Sequence, residues 1–240
     1  MADAGTIRHF EALGVDDGWN CLEAGAGGGS MTAWLCDRVG PDGSVVAVDI
    51  NTRFVEDLDR PNLEVRQLNV VDEALPAGQF DLVHTRAVLA HLPNREPAID
   101  NLTNALAPNG WLLAEEMDFL SVAPVPGVDP AQADRFMKLV DAHHQALAGK
   151  MDPFFGRRVT DALCQTGLDD IGSEGRTTIV RGGSPGATAW ALTFEQLSET
   201  MLEHGWVRET ELAEVYDALE DPSFAFQSMV FMAAWGRKRG

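Results

Sequence analysis

The sequence predicts an α/β fold built on a doubly wound parallel sheet, and three observations predict it. Short apolar runs alternate with helix-period segments between Asn20 and Glu115. A glycine-rich turn follows the first run. A second run ends in a carboxylate, Asp49.

Each element follows from local pattern. Residues 5–13 read as a short helix and 20–23 as strand one. Residues 30–39 form a helix with Met31, Trp34 and Leu35 on one face. Strand two is 45–50, followed by a helix through Phe54, Val55 and Leu58. Strands three, four and five are 63–68, 80–85 and 110–115, with a helix over 96–106. Past Asp118 the pattern changes. A Pro-rich connection to Gly127 leads to helices at 130–148 and 157–166, the latter ended by Gly167. Strand six is expected over 170–180, helices over 188–204 and 209–219, and a last strand over 223–235.

Composition narrows the function classes. The chain has 240 residues, 45% hydrophobic and 23% charged, which suits one domain over 1–240 with a large core. Its formal net charge is -19, from 37 acidic and 18 basic residues. Nucleic-acid binding draws on Lys and Arg that neutralise phosphates, so this balance argues against such a partner and against an anionic membrane surface. Three cysteines read as reduced thiols, with Cys21 and Cys164 as small core residues. No signal-like segment opens the chain, and its longest apolar run is too short to span a bilayer. The expected location is cytoplasmic.

The segment Cys21-Leu22-Glu23-Ala24-Gly25-Ala26-Gly27-Gly28-Gly29-Ser30 carries an apolar strand into an acid, then into a turn where a ligand can touch bare backbone. Val45-Val46-Ala47-Val48-Asp49 ends in a carboxylate placed to accept from ribose hydroxyls. This is the logic of a Rossmann-like nucleotide site. The third small residue of a dinucleotide fingerprint falls on Ser30 instead of Gly or Ala. In its place stands Glu-x-Gly-x-Gly-x-Gly, with the acid Glu23 just before Gly25. A carboxylate is a poor neighbour for a pyrophosphate and a good one for a cationic amino group. S-adenosyl-L-methionine (SAM) carries such a group beside its ribose, adenine and sulfonium, and has no phosphate.

Further blocks follow in order: Leu13-Gly14-Val15 with Gly18-Trp19, Val39-Gly40-Pro41-Asp42-Gly43-Ser44, and Phe80-Asp81-Leu82-Val83-His84-Thr85-Arg86. Then come His91-Leu92-Pro93 and Ala105-Leu106-Ala107-Pro108-Asn109-Gly110-Trp111-Leu112-Leu113. On these blocks the segment from Thr6 to about Asp118 resembles the class I SAM-dependent methyltransferases, of the UbiE-like branch that modifies small molecules. The resemblance implies a Rossmann-like, doubly wound, seven-stranded sheet, six strands parallel and strand seven antiparallel. It implies helical insertions after strands five and six, at 119–150 and 182–221. Ligands of open parallel sheets bind beyond the carboxyl ends of the strands. The helices at 130–148 and 188–219 are therefore expected to form a substrate lid. In the relatives a further helical segment precedes Gly5-Thr6-Ile7-Arg8-His9-Phe10. Here only Met1 to Ala4 stand before it, so a more open cleft is expected.

The resemblance also assigns roles. SAM is the implied cofactor and S-adenosylhomocysteine the product. The backbone of Gly25, Ala26, Gly27 and Gly29 would approach the methionine part, with Glu23 orienting the turn or the amino group. Asp49 would accept from the ribose diol, with Ile50 beside it. Asn69 stands where the family usually has an acid near the adenine amine, Val70 would offer its backbone amide, and Asp72 competes with Asn69. Thr85 and Arg86 would contact the methionine end or the acceptor. Arg86 has alternatives in Glu115, Glu116 and Asp118.

Three histidines are candidate bases. His91 reads as a cleft-wall residue, while His143 and His144 lie in the first lid helix. Adjacent helical residues diverge by ~100°, so at most one of that pair is expected to face the cleft. Asp118 is a candidate acceptor contact. So is Trp190, whose stripe with Phe194, Leu197 and Met201 also reads as core. Asp152-Pro153-Phe154-Phe155 and Glu115-Glu116 mimic motifs of nucleic-acid and arginine methyltransferases out of their context. No metal site is expected. The expected partner is a small-molecule acceptor, and a homodimer is compatible. Rival readings are a non-catalytic SAM-fold binding subunit and a nicotinamide-dependent oxidoreductase. Ser30 and a sole tyrosine, Tyr216, disfavour the latter.

Overall fold

The computed structural model describes residues 2–240. Along the chain run α1 (Ala2–Leu13), β1 (Asn20–Ala24), α2 (Ser30–Val39), β2 (Ser44–Asp49), β3 (Leu63–Gln67), β4 (Phe80–Arg86), α3 (Glu96–Ala105) and β5 (Leu106–Asp118). There follow β6 (Ala123–Pro124), α4 (Pro130–Leu147), α5 (Val159–Cys164), β7 (Asp169–Arg176) and β8 (Ile179–Arg181). The chain closes with α6 (Pro185–Glu203), α7 (Glu209–Glu220), β9 (Ala225–Gln227) and β10 (Val230–Arg237). These elements form two compact units. The first holds the chain up to Glu116, with Phe155–Glu174 and Phe231–Gly240; the second holds Met117–Phe154 and Gly175–Val230. Both expected insertions, 119–150 and 182–221, fall inside the second unit.

The first unit is a seven-stranded sheet in the order β3-β2-β1-β4-β5-β10-β7. β1 pairs in parallel with β2 and β4, β2 with β3, and β4 with β5. β10 is the one antiparallel strand. Asn109 donates its N–H to Lys238 O (3.0 Å) and Lys238 donates to Gly110 O (2.9 Å), joining the start of β5 to the end of β10. The inner strands are apolar runs because helices cover parallel sheets on both faces. Cys21, Val45, Leu82 and Leu113 meet Phe10 of α1 and Met31, Leu35 and Val39 of α2 in one buried cluster. Strand order reverses between β1 and β4, the place where open α/β sheets leave a crevice at their carboxyl edge.

The second unit packs α4, α6 and α7 against a three-stranded sheet, β6-β9-β8. Its core is rich in rings: Phe119, Phe136, Trp190, Phe194, Phe224 and Phe226 are all buried.

Several elements differ from expectation. The helix expected through Phe54, Val55 and Leu58 is a single 3₁₀ turn, Thr52–Phe54. Pro61 disfavours helix at the residue before it, and so short a segment does not nucleate alone. The helix at 157–166 is a 3₁₀ turn, Phe155–Arg158, leading into α5. The strands expected at 170–180 and 223–235 are each broken in two, giving β7 and β8, and β9 and β10. At the breaks, Ser228 N donates to Thr178 O (2.9 Å) and Thr177 Oγ1 donates to Ser228 O (2.8 Å) in place of a ladder. Cys21 is buried as expected of a core thiol, but Cys164 is exposed at the end of α5. No helix among the described residues is long and apolar enough to cross a membrane.

Candidate active site

The turn after β1 is held by its own amides. Gly25 N and Ala26 N donate to Val48 O (2.8 and 3.2 Å), and Gly29 N donates to Ala26 O (2.8 Å). Gly27 N donates to Asp49 Oδ2 (2.9 Å), and Asn51 N to Asp49 Oδ1 (2.9 Å). Gly25 has φ +81°, and a Cβ there would lie 2.1 Å from Val88 Cγ2. Only glycine fits that approach. At Gly27, with φ +50°, the nearest atom to an added Cβ is Gly25 O at 3.9 Å, so its outer side is bare backbone.

Gly25, Gly27, Asp49, Ile50, Asn69, Val70, Arg86 and His91 line one cleft of about 330 Å³ at the carboxyl ends of the strands. That size falls within the range of small-ligand sites. Asn69 is committed locally: its Nδ2 donates to Asp72 Oδ2 (2.6 Å) and its Oδ1 accepts from Val71 N (3.0 Å). Ile50 is exposed at the rim, and Val70 is buried. Glu116, at the end of β5, braces the opposite wall. Its carboxylate accepts from the N–H groups of Val88 (3.1 Å), Leu89 (2.7 Å) and Ala90 (3.4 Å). Burial pushes this carboxyl up to about 7, against the pull of those three bonds.

Three expected cofactor residues lie off the cleft. Ala26 packs beneath the turn with Ala47 and Val55. Thr85 is fully buried in β4, and its hydroxyl has no hydrogen-bond partner. Glu23 points into the protein, where His84 Nδ1 lies 2.7 Å from its Oε2.

That contact opens a buried polar network absent from the sequence reading. His84 Nε2 lies 3.3 Å from Glu115 Oε2, and His9 Nδ1 lies 3.0 Å from Glu115 Oε1. Thr6 Oγ1 donates to Glu115 and accepts from Arg86 Nη1 (3.0 Å). Arg86 Nη2 reaches Asp3 Oδ1 at 2.9 Å, so its partners are on α1 rather than Glu115, Glu116 or Asp118. Burial opposes a charge on His84, but Glu23 and Glu115 outweigh it and hold the imidazole up at about 9. Burial likewise opposes the Glu115 charge, yet bonds from His84, His9 and Thr6 hold that carboxyl well below the usual range. The register makes the network possible. Glu23 and His84 face each other on β1 and β4, and Glu115 sits diagonally on β5 beside His84. Three ionisable residues inside adjacent apolar strands were the available signal.

The other candidates lie in the second unit. His143 is buried, with ring centroids 5.6 Å from Phe119 and 5.5 Å from Phe194. His144 also meets Phe119, at 6.2 Å, and Phe154, at 5.2 Å. Both imidazoles thus reach the same phenyl ring despite their angular separation on α4. His143 Nδ1 and His144 Nε2 have no hydrogen-bond partner. Burial lowers both, His143 to about 4. Trp190 Nε1 donates to Ser228 Oγ (3.0 Å), and Asp118 Oδ1 accepts from Leu120 N (3.2 Å). No group of three or more His, Cys, Asp or Glu among the described residues could hold a metal ion.

Comparison with known proteins adds to this geometry. A profile described as a methyltransferase domain matches residues 22–112. Methyltransferase str3 of Strobilurus tenacellus is 34% identical over 143 residues, covering 59% of this chain and 50% of that protein. The chain spans about half the length of the curated relatives it matches first. A solved protein of Bacillus halodurans C-125, described as a candidate methyltransferase, has a TM-score of 0.63 at 15% identity, covering 98% of each chain. Haemonchus contortus phosphoethanolamine N-methyltransferase 2, solved with phosphomonomethylethanolamine and S-adenosylhomocysteine, has a TM-score of 0.61 at 14% identity. That match covers 99% of this chain and 53% of the other. At these identities the two structures share a fold with this chain.

Proposed function

We propose that this chain, whose residues 22–112 match a methyltransferase-domain profile, is a class I SAM-dependent methyltransferase that transfers a methyl group from SAM to a small organic acceptor. One observation carries the choice of ligand. The amides of Gly25, Ala26, Gly27 and Gly29 all donate within the protein. A phosphate cradle needs such amides aimed outward at the anion. This turn instead offers close approach and, at Asp49, a carboxylate, which suits a phosphate-free nucleoside.

The residues present fit SAM. Asp49 keeps lone pairs beyond those used by Gly27 and Asn51, enough to accept from two vicinal hydroxyls. Gly25 and Gly27 admit the methionine part, and Ile50 and Val70 give apolar contact to the adenine. When bound, SAM supplies an activated methyl group on a sulfonium. The protein's part is to align the acceptor and exclude water. Where the acceptor must lose a proton, an imidazole nitrogen of His91, His143 or His144 takes it. His91 is favoured by its place in the cleft wall, and the other two by their unpartnered nitrogens. Trp190 and Asp118 complete the set of residues proposed to contact the acceptor. A role in specialised metabolism and a cytoplasmic setting complete the reading.

Isothermal titration with SAM, S-adenosylhomocysteine and NAD tests it. Micromolar binding of the first two is expected. Loss of two bonds to the diol should weaken it in Asp49→Ala by about 1.5–3 kcal/mol, roughly ten- to a hundredfold. Binding of NAD alone would overturn the reading.

A further inference from the structure

We propose that Glu116 is a positioning residue for the cleft: its carboxylate pins the segment Val88–Ala90, and through it the wall that Ala87, Val88, His91 and Leu92 present to the cofactor. The proposal rests on the SAM reading above and adds to it a residue that itself touches no ligand.

The wall needs a pin because of how the chain leaves β4. Ala87, the next residue, has φ +56°, a left-handed conformation uncommon outside glycine. Its N–H donates to Glu115 O (2.8 Å). Val88 then presses on the bare face of Gly25, where a Cβ would collide with it. Leu89–His91 follows as a single 3₁₀ turn, with His91 N donating to Val88 O (3.0 Å) and Leu92 N to Leu89 O (3.2 Å). So short a turn does not hold itself. Four of its residues and neighbours, Ala87, Val88, His91 and Leu92, line the cleft.

Glu116 supplies the hold. Its Oε1 accepts from Val88 N (3.1 Å) and Leu89 N (2.7 Å), and its Oε2 from Ala90 N (3.4 Å). The side chain is fully buried, and burial raises the carboxyl to about 7 against the pull of those amides and of Arg95. His91 stands in the same wall, and Glu115 turns to the other face of β5 toward His84. An acid raised by folding makes the fold less stable as pH climbs from its ordinary value to its folded one. The ionised carboxylate therefore costs stability near neutral pH, and an amide would serve a purely structural role at least as well. What the charge adds is three charge-assisted bonds to the cleft wall.

The test is titration of the wild type, Glu116→Gln and His91→Asn with SAM at pH 7.5 and 6.0, beside melting of each protein. Gln keeps one oxygen for Val88 and Leu89, so its Tm at pH 7.5 should stay within a few degrees of the wild type. Its affinity for SAM should be about five- to tenfold weaker at pH 7.5, and the same at pH 6.0. The wild type should lose about three- to fivefold between pH 7.5 and 6.0, as protonation makes the acid resemble the amide. His91→Asn should show the same loss. A Gln variant with wild-type affinity would overturn the proposal and leave the cofactor reading standing. So would a wild type indifferent to pH, or a His91→Asn protein without the loss. If Glu116→Gln does not fold, the wild type and His91→Asn at the two pH values decide alone. Failure of the wild type to bind SAM at either pH would overturn both readings.

Discussion

Burying His143 Nδ1 and His144 Nε2 among phenyl rings without a partner runs against the usual satisfaction of interior polar atoms. An unpaired buried polar group costs about 1–3 kcal/mol. His143→Leu, which removes the polar atoms at similar bulk, should therefore keep or raise the Tm by a few degrees. The sign with pH is fixed too. Burial lowers His143 to about 4, so between pH 6.5 and 4 the unfolded chain binds the proton and the fold does not. Wild-type stability falls as pH drops through that window, and the leucine variant should flatten the decline in pH-resolved melting. A methyl-transfer assay that falls in the same variant would mark the imidazole as serving the acceptor. At this scale the sequence is most legible where a residue ends a strand. Gly25, Gly27, Asp49 and Arg86 share the cleft because strand ends in one parallel sheet share an edge. The direction of Glu23 is not legible in the sequence, because it depends on pleat and neighbour: it faces His84 across the ladder.

The helix α1 is joined to β1, β4 and β5 by charge as well as by Phe10. Glu23, His84, Glu115 and His9 are each nearly inaccessible to water. A pair so placed is weak evidence of net stability, but removing one member leaves the others uncompensated. His84→Gln should destabilise the fold by about 3–5 kcal/mol in denaturant unfolding. The folded His84 titrates at about 9 against 6.5 unfolded, so its contribution is complete below pH 6.5 and is lost as pH rises through 9. Over that window the wild type should lose about 3 kcal/mol, and His84→Gln should lose correspondingly less. A parallel loss in both proteins would refute the charged state of His84. The adjacent acids Glu115 and Glu116 separate cleanly at this scale. Alternation along β5 sends one to His84 and the other to the loop amides of Val88 to Ala90.

Charge dominates the molecule as a whole. With 37 acidic against 18 basic residues, self-repulsion exceeds what the surface pairs return, since exposed pairs such as Arg60–Asp37 and Arg239–Asp169 contribute little. Raising sodium chloride from about 10 to about 150 mM shortens the Debye length from about 30 to about 8 Å. The Tm should rise with it, and a fall would show that the ion pairs outweigh the repulsion. The sequence by itself determined the alternating strands and helices, the glycine turn and the position of Asp49, because periodicity and backbone freedom are local properties. Only the tertiary structure decided that 170–180 and 223–235 each divide between two sheets, that Glu23 turns inward, and that Arg86 meets Asp3 and Thr6. Those outcomes depend on which strands and helices become neighbours, and contact between residues distant in the chain leaves no mark in local pattern.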